Sequence, residues 1–129
     1  MRIYLMARYS RNEEMQGVAR NLMALGHVVT SRWIWGNHRA YDSAIGTGAI
    51  TDIERTIAFN DITDLRQADC VIGFSEALRT PTRGGRHVEL GLALAWQKRI
   101  IVVGGYEHVF HTLPQVEHVK DVAELYALL

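Results

Sequence analysis

Residues 69–103 read DCVIGFSEALRTPTRGGRHVELGLALAWQKRIIVV, and the division of this stretch decides the fold. The continuous apolar run at 69–74 reads as a strand buried on both faces. A loop holding Pro81, Gly84 and Gly85 interrupts it. Residues 88–97 then form an apolar helix whose only charge is Glu89, and 99–103 are a second buried strand. Strand, crossover helix and strand make a right-handed parallel unit.

Working outwards, the same alternation continues. Residues 2–7 (RIYLMA) read as the first strand. Ser10 is expected to cap a helix, with Glu13 completing a capping box and Gly26 stopping it. Met15, Val18, Ala19, Leu22 and Leu25 recur at helical spacing between them. Residues 27–34 (HVVTSRWI) read as a second strand, followed by a polar loop at 36–48 whose length suits a binding or lid role. A helix is expected over 50–68, a short fifth strand near 116–119 and a last helix at 121–129. The prediction is an α/β fold: a flavodoxin-like or Rossmann-like three-layer sandwich around a five-stranded, mostly parallel sheet. Ligands of such sheets sit beyond the carboxyl ends of the strands, which directs attention to residues 7–10, 33–37, 74–86 and 104–106.

The 129 residues, 48% hydrophobic and 22% charged, fit one globular domain spanning 1–129. Fourteen basic and fourteen acidic side chains cancel, so no global field gathers a nucleic-acid polymer or an acidic membrane. Cys70 is the only cysteine; it excludes an internal disulfide, fits a reducing compartment and reads as an inert core thiol. No apolar run is long enough to span a bilayer and no leader pattern precedes the first strand, so a cytoplasmic, non-membrane protein is expected. The six histidines are scattered, without an i,i+4 pair backed by an acidic third ligand, and neither metal nor cofactor is expected.

Two carboxylates stand out. Glu89 sits on an apolar helix, where an ionised carboxylate costs several kcal/mol to desolvate unless compensated. Asp61 lies four residues from both Ile57 and Leu65, on an inward stripe with Ile50, Ile53 and Ala68, whereas Asp52, Glu54 and Asp64 read as solvated charges. A pair of acids at one cleft suits glycosyl chemistry, in which an anion faces the anomeric carbon and a proton reaches the leaving group. The loop at 79–86 (RTPTRGGR) offers an anion Arg83, Gly84, Gly85, Arg86 and a helix N-terminus. Arg8, Ser10 and Arg11 are a second candidate phosphate contact. Trp33 and Trp35, two residues apart on a strand, would share a face on which a base could stack. Tyr4 belongs to the core, with its hydroxyl within reach of a carboxylate at the strand end.

With these residues located, the chain resembles the nucleoside 2-deoxyribosyltransferase family, which includes 2'-deoxynucleoside 5'-monophosphate N-glycosidases. The anchors are IYLMA at 3–7, Asn60-Asp61 with Leu65 and QAD at 67–69, GRHVELG at 85–91 and KRI at 98–100. The resemblance implies that Glu89 attacks the anomeric carbon, that Asp61 is the active-site aspartate and that Tyr4 orients the glutamate. It also implies a flavodoxin-like homo-oligomer whose neighbouring subunits complete the site. Transferases of the family often carry an acidic residue six positions before the glutamate, where this chain has Arg83. Together with the other arginines, that shifts weight towards a small-molecule nucleotide and hydrolysis. The rival from another class is a non-catalytic nucleotide-binding or sensing module, which would use the Gly-Arg loop and Trp33 without requiring both acids.

Overall fold

The computed structural model describes residues 1–36 and 52–129. Five strands, β1 (Arg2–Met6), β2 (Val28–Val29), β3 (Cys70–Phe74), β4 (Arg99–Val103) and β5 (Val116–Val119), form one sheet in the order β2-β1-β3-β4-β5. Every strand pair is parallel, with Ile3 opposite Cys70 and Val71 opposite Ile100 in the centre of the sheet. β3 is buried at all its positions, as expected of a strand covered on both faces.

Among the described residues, four helices cover the sheet: α1 (Asn12–Ala24), α2 (Asp52–Arg66), α3 (Gly85–Ala95) and α4 (Val122–Leu128). Asn21 of α1 donates to the Tyr126 hydroxyl of α4 at 3.1 Å, while α2 packs on α3. Right-handed crossovers put these two pairs on opposite faces, because the chain moves one way from β1 to β2 and the other way from β2 to β3. The reversal falls between β1 and β3, which is therefore the switch point of this flavodoxin-like order.

Several local expectations are corrected. Ser10 does not cap α1; it lies in a 3-10 turn (Tyr9–Arg11) that leads into the helix, and Arg11 occupies the cap position without a side-chain bond. Gly26 ends the helix region at φ +92°, but Leu25 points to solvent rather than into the core stripe. The second strand is far shorter than 27–34. Its ladder ends at Ile3 opposite Val29 and Thr30 N donates to Ile3 O at 2.8 Å, because the next amide on β1, Leu5 N–H, donates to the Ser31 hydroxyl instead of a strand carbonyl. The chain then turns into a 3-10 segment, Arg32–Trp35. Leu65 on α2 and Ala68 just beyond it are buried as expected, but Ile53 is exposed and Asp64 is 4% exposed rather than solvated. The expected lid at 36–48 and the inward Ile50 lie, Gly36 apart, outside the described residues.

Candidate active site

A cleft of about 710 Å³ opens beside the switch point, at the carboxyl end of the sheet. Ala7, Arg8, Tyr9 and Ser10 line it from the turn after β1, and Trp33 from the turn after β2. Helix α2 contributes Glu54, Ile57, Ala58 and Asp61; the loop before α3 and its first turns contribute Pro81 to Arg86 and Glu89. The two acids singled out from sequence therefore come from separate helices and meet at one cavity.

Their environment raises the proton affinity of both. Burial pushes the Asp61 carboxyl up to about 7, the nearby Asp64 charge adds to the rise, and Arg32 opposes it. Burial pushes Glu89 to about 8, with Asp61 adding repulsion, against a lowering contribution from the Tyr4 hydroxyl and from Arg86. Tyr4 itself is 0% exposed, and its hydroxyl has no partner of full hydrogen-bond geometry among the described residues. Burial, followed by Glu89 and Asp61, drives its pKa well above the ordinary phenol value, so it stays a proton donor at every physiological pH. A buried hydroxyl that lacks a full bond beside a carboxylate is poised to orient it.

Helix α3 begins at Gly84, which adopts φ +83° and supplies no side-chain cap. The His87 N–H donates to Gly84 O at 3.0 Å, which leaves the Gly85 and Arg86 N–H groups at the cleft for an anion. Arg83 stands exposed at the rim. Arg8 is half-buried in the cleft wall and has no carboxylate partner among the described residues. Ser10 lines the cleft near it.

Arg86 and Trp35 depart from expectation. The Arg86 guanidinium is buried and forms a bidentate pair with Glu107, its Nη2 donating at 2.7 Å, so its charge is already neutralised within the protein. Arg11 is similarly committed, donating to both oxygens of Glu14, approaching Glu76 at 3.3 Å and lying 5.3 Å over the Phe74 ring. Trp33 and Trp35 do not share a face, since two residues of 3-10 helix turn through about 240° rather than a full pleat. Trp33 is 7% exposed, with its indole N–H donating to Leu5 O at 2.8 Å; Trp35 is outside, under Arg20.

No known family profile and no curated protein sequence matches the chain. Among solved structures, it superposes on a 2-deoxyribosyltransferase of the psychrotolerant bacterium Bacillus psychrosaccharolyticus with a TM-score of 0.67 at 16% identity, covering 98% of this chain and 90% of that one. It also superposes on a CMP N-glycosidase of Clostridium botulinum with a TM-score of 0.60 at 19% identity over the whole of both chains. This chain shares their fold. The correspondence covers the last strand and helix as well, beyond residues 98–100 where the sequence anchors end.

Three groups that matter on this scaffold escaped the sequence reading. Glu107, in the loop after β4, accepts from Arg86 and from Glu76 N at 2.8 Å; burial alone would raise its pKa, but those bonds hold it below the usual carboxylate range. Asp64 accepts from Arg32 N at 3.0 Å and pairs with Nη2 at 2.8 Å. Four histidines that look scattered converge behind Glu107. His108 Nε2 and His87 Nδ1 lie 3.2 Å apart, the His108 and His111 rings 4.1 Å, and His118 Nε2 bonds His111 O at 2.8 Å. Burial, then His108, lowers His111 to about 4, and its Nδ1 accepts Glu107 N–H at 3.1 Å. Among the described residues, no three potential ligands gather as a metal site, and no helix is long and apolar enough to cross a membrane.

Proposed function

We propose that this protein cleaves the N-glycosidic bond of a 2'-deoxynucleoside or its 5'-monophosphate. The observation that carries the reading is the pairing of Glu89 and Asp61, two proton-holding carboxyls from different helices, at one cavity of nucleotide size. The deoxyribosyltransferase and CMP N-glycosidase neighbours support it through the shared fold. In the reaction, a Glu89 oxygen bonds to the anomeric carbon as the bond to the base nitrogen breaks. The electron pair leaves with the base, and Asp61 supplies the proton. Water or a second base then attacks the same carbon, which frees Glu89 and returns a proton to Asp61, so configuration is retained. Positive charge growing on the sugar favours ionised Glu89, and the Tyr4 hydroxyl steadies that anion.

Arg8, Ser10, Arg83 and the Gly84–Gly85 start of α3 would take the 5'-phosphate, and Trp33 would form a wall for the base. Arg86, already paired with Glu107, would brace the start of α3 rather than hold the phosphate. The protein would act as a single-domain cytoplasmic homo-oligomer; the exposed Ile53, Phe59 and Ile62 of α2 support a subunit contact. Incubation with a panel of deoxynucleosides and deoxynucleotides, with and without an acceptor base, tests the reading by release or exchange of the base. Glu89→Gln should reduce turnover at least about a thousandfold with the fold intact; near-normal activity would reject the assignment.

One observation favours the rival, a binding or sensing module. Burial makes Glu89 hold its proton up to about pH 8, as a group that binds without attacking could. Saturable nucleotide binding with no base released, acceptor present or absent, would decide for that module.

A further inference from the structure

Among the described residues, Asp64 is the one buried carboxylate near the cleft that the proposed reaction does not use. It lies one helical turn beyond Asp61 on α2. Both of its oxygens are engaged by a single residue: Arg32 donates from its backbone N at 3.0 Å and from Nε at 2.9 and 3.1 Å, while Nη2 stands at 2.8 Å. The Asp64 carbonyl also accepts from the Thr30 hydroxyl at 2.9 Å. These bonds hold the 3-10 turn after β2 at both its entry and its first residue. The next residue is Trp33, whose indole N–H is fixed on Leu5 O at 2.8 Å and whose ring lines the cleft. β2 itself is two residues long and could not hold the turn by strand pairing.

We propose that Asp64 is a positioning residue of the cleft: through Arg32 it fixes Trp33 as a wall, and its charge, one helical turn from Asp61, favours a proton on Asp61. The inference rests on the glycosidic reading for its catalytic meaning, though its physical content does not. Around Asp61 stand Glu54 and Asp64 on its own helix, Arg32 on the turn after β2, Tyr4 on β1, and Glu89 and Arg86 on α3; Arg8 and Arg83 complete the charged lining among the described residues. Asp64 favours a proton on Asp61 and Arg32 opposes it, while Tyr4 and Arg86 favour the anion at Glu89. The state with a proton on Asp61 and a charge on Glu89 is the one a leaving base and a nascent cation require. Burial gives Glu89 the higher proton affinity of the two, so this state is the minor one, and without Asp64 it would be rarer still.

Two variants read this without substrate. In Asp64→Asn, the acceptor to Arg32 remains but the charge is gone. The Asp61 carboxyl, followed by carbon-detected NMR titration, should then have its midpoint lowered by at least about half a pH unit. In Arg32→Met, Asp61 loses its nearby cation and keeps its nearby anion, so the midpoint should rise; the Trp33 indole N–H should also lose its protection from hydrogen exchange. Opposite shifts are a result that a merely structural clamp does not produce. Should Asp64→Asn fail to fold, the Arg32→Met midpoint alone carries the test. An unmoved midpoint in the folded variants overturns the proposal. With an active wild type, Asp64→Asn should lower kcat more than it changes KM. If the midpoints move as expected but no base is released by the wild type, the glycosidic reading fails while the electrostatic inference stands.

Discussion

Replacing Glu107 by Gln should strip the start of α3 of its brace. The Arg86 and Glu107 side chains are 7% and 12% exposed and are joined by two parallel bonds, so removal of one charge leaves the other buried and uncompensated. Breaking such a pair costs about 3–5 kcal/mol, far above the worth of a surface ion pair. A chain of 129 residues unfolds with an entropy of roughly 0.27 kcal/mol/K, so about 3 kcal/mol lowers Tm by about 11 °C. Circular dichroism melts at neutral pH measure this directly. Glu107 has a folded pKa below its ordinary value, so its contribution is present above the unfolded pKa and is lost as pH falls through the folded one. The gap between wild type and Glu107→Gln should therefore close in acid. The double variant Arg86→Met/Glu107→Gln, with no orphaned charge, should recover most of the loss. A Glu107→Gln melt within about 3 °C of wild type, or a double variant no better than the single, would refute the reasoning.

Other consequences follow from the same geometry. With Asp61 at about 7 and Glu89 at about 8, kcat/KM should trace a narrow bell. Below the lower value both acids are protonated and no nucleophile exists; above the higher one no proton is left for the base. A rate that climbs steadily to pH 10 would contradict shared protonation. Arg8→Met should raise KM for a deoxynucleoside 5'-monophosphate about tenfold or more and leave the unphosphorylated nucleoside nearly unaffected, as steady-state kinetics on both would show. Equal effects on the two substrates would remove Arg8 from the phosphate contact.

What could be read in advance divides along physical lines. The buried strand at 69–74, the apolar helix with its lone Glu89 and the strand at 99–103 are local patterns, and each formed where its composition put it. Asp61 was legible because Leu65 and Ala68 mark the buried stripe beside it. Most of the failures are long-range. Residues 27–34 have strand composition, but the Ser31 hydroxyl and the Asp64 carboxylate offer competing bonds that turn the chain out of the sheet. Asp64 looked solvated because its partner Arg32 is distant in sequence, and Glu107 was invisible because Arg86 reaches it across the loop after β4. The four histidines meet only when α3, the loop after β4 and β5 fold together. Ser10 with Glu13 had the spacing of a capping box, but the local 3-10 turn at Tyr9–Arg11 moved the cap position by one residue, to Arg11.

The most direct test of the whole account is mass spectrometry of the protein quenched during turnover of a slowly released deoxynucleotide, followed by peptide mapping. The account predicts a deoxyribosyl or deoxyribosyl-phosphate adduct on Glu89, absent in Glu89→Gln and lost when an acceptor base is added. Rapid base release with no adduct on Glu89, or with an adduct on another residue, would contradict it.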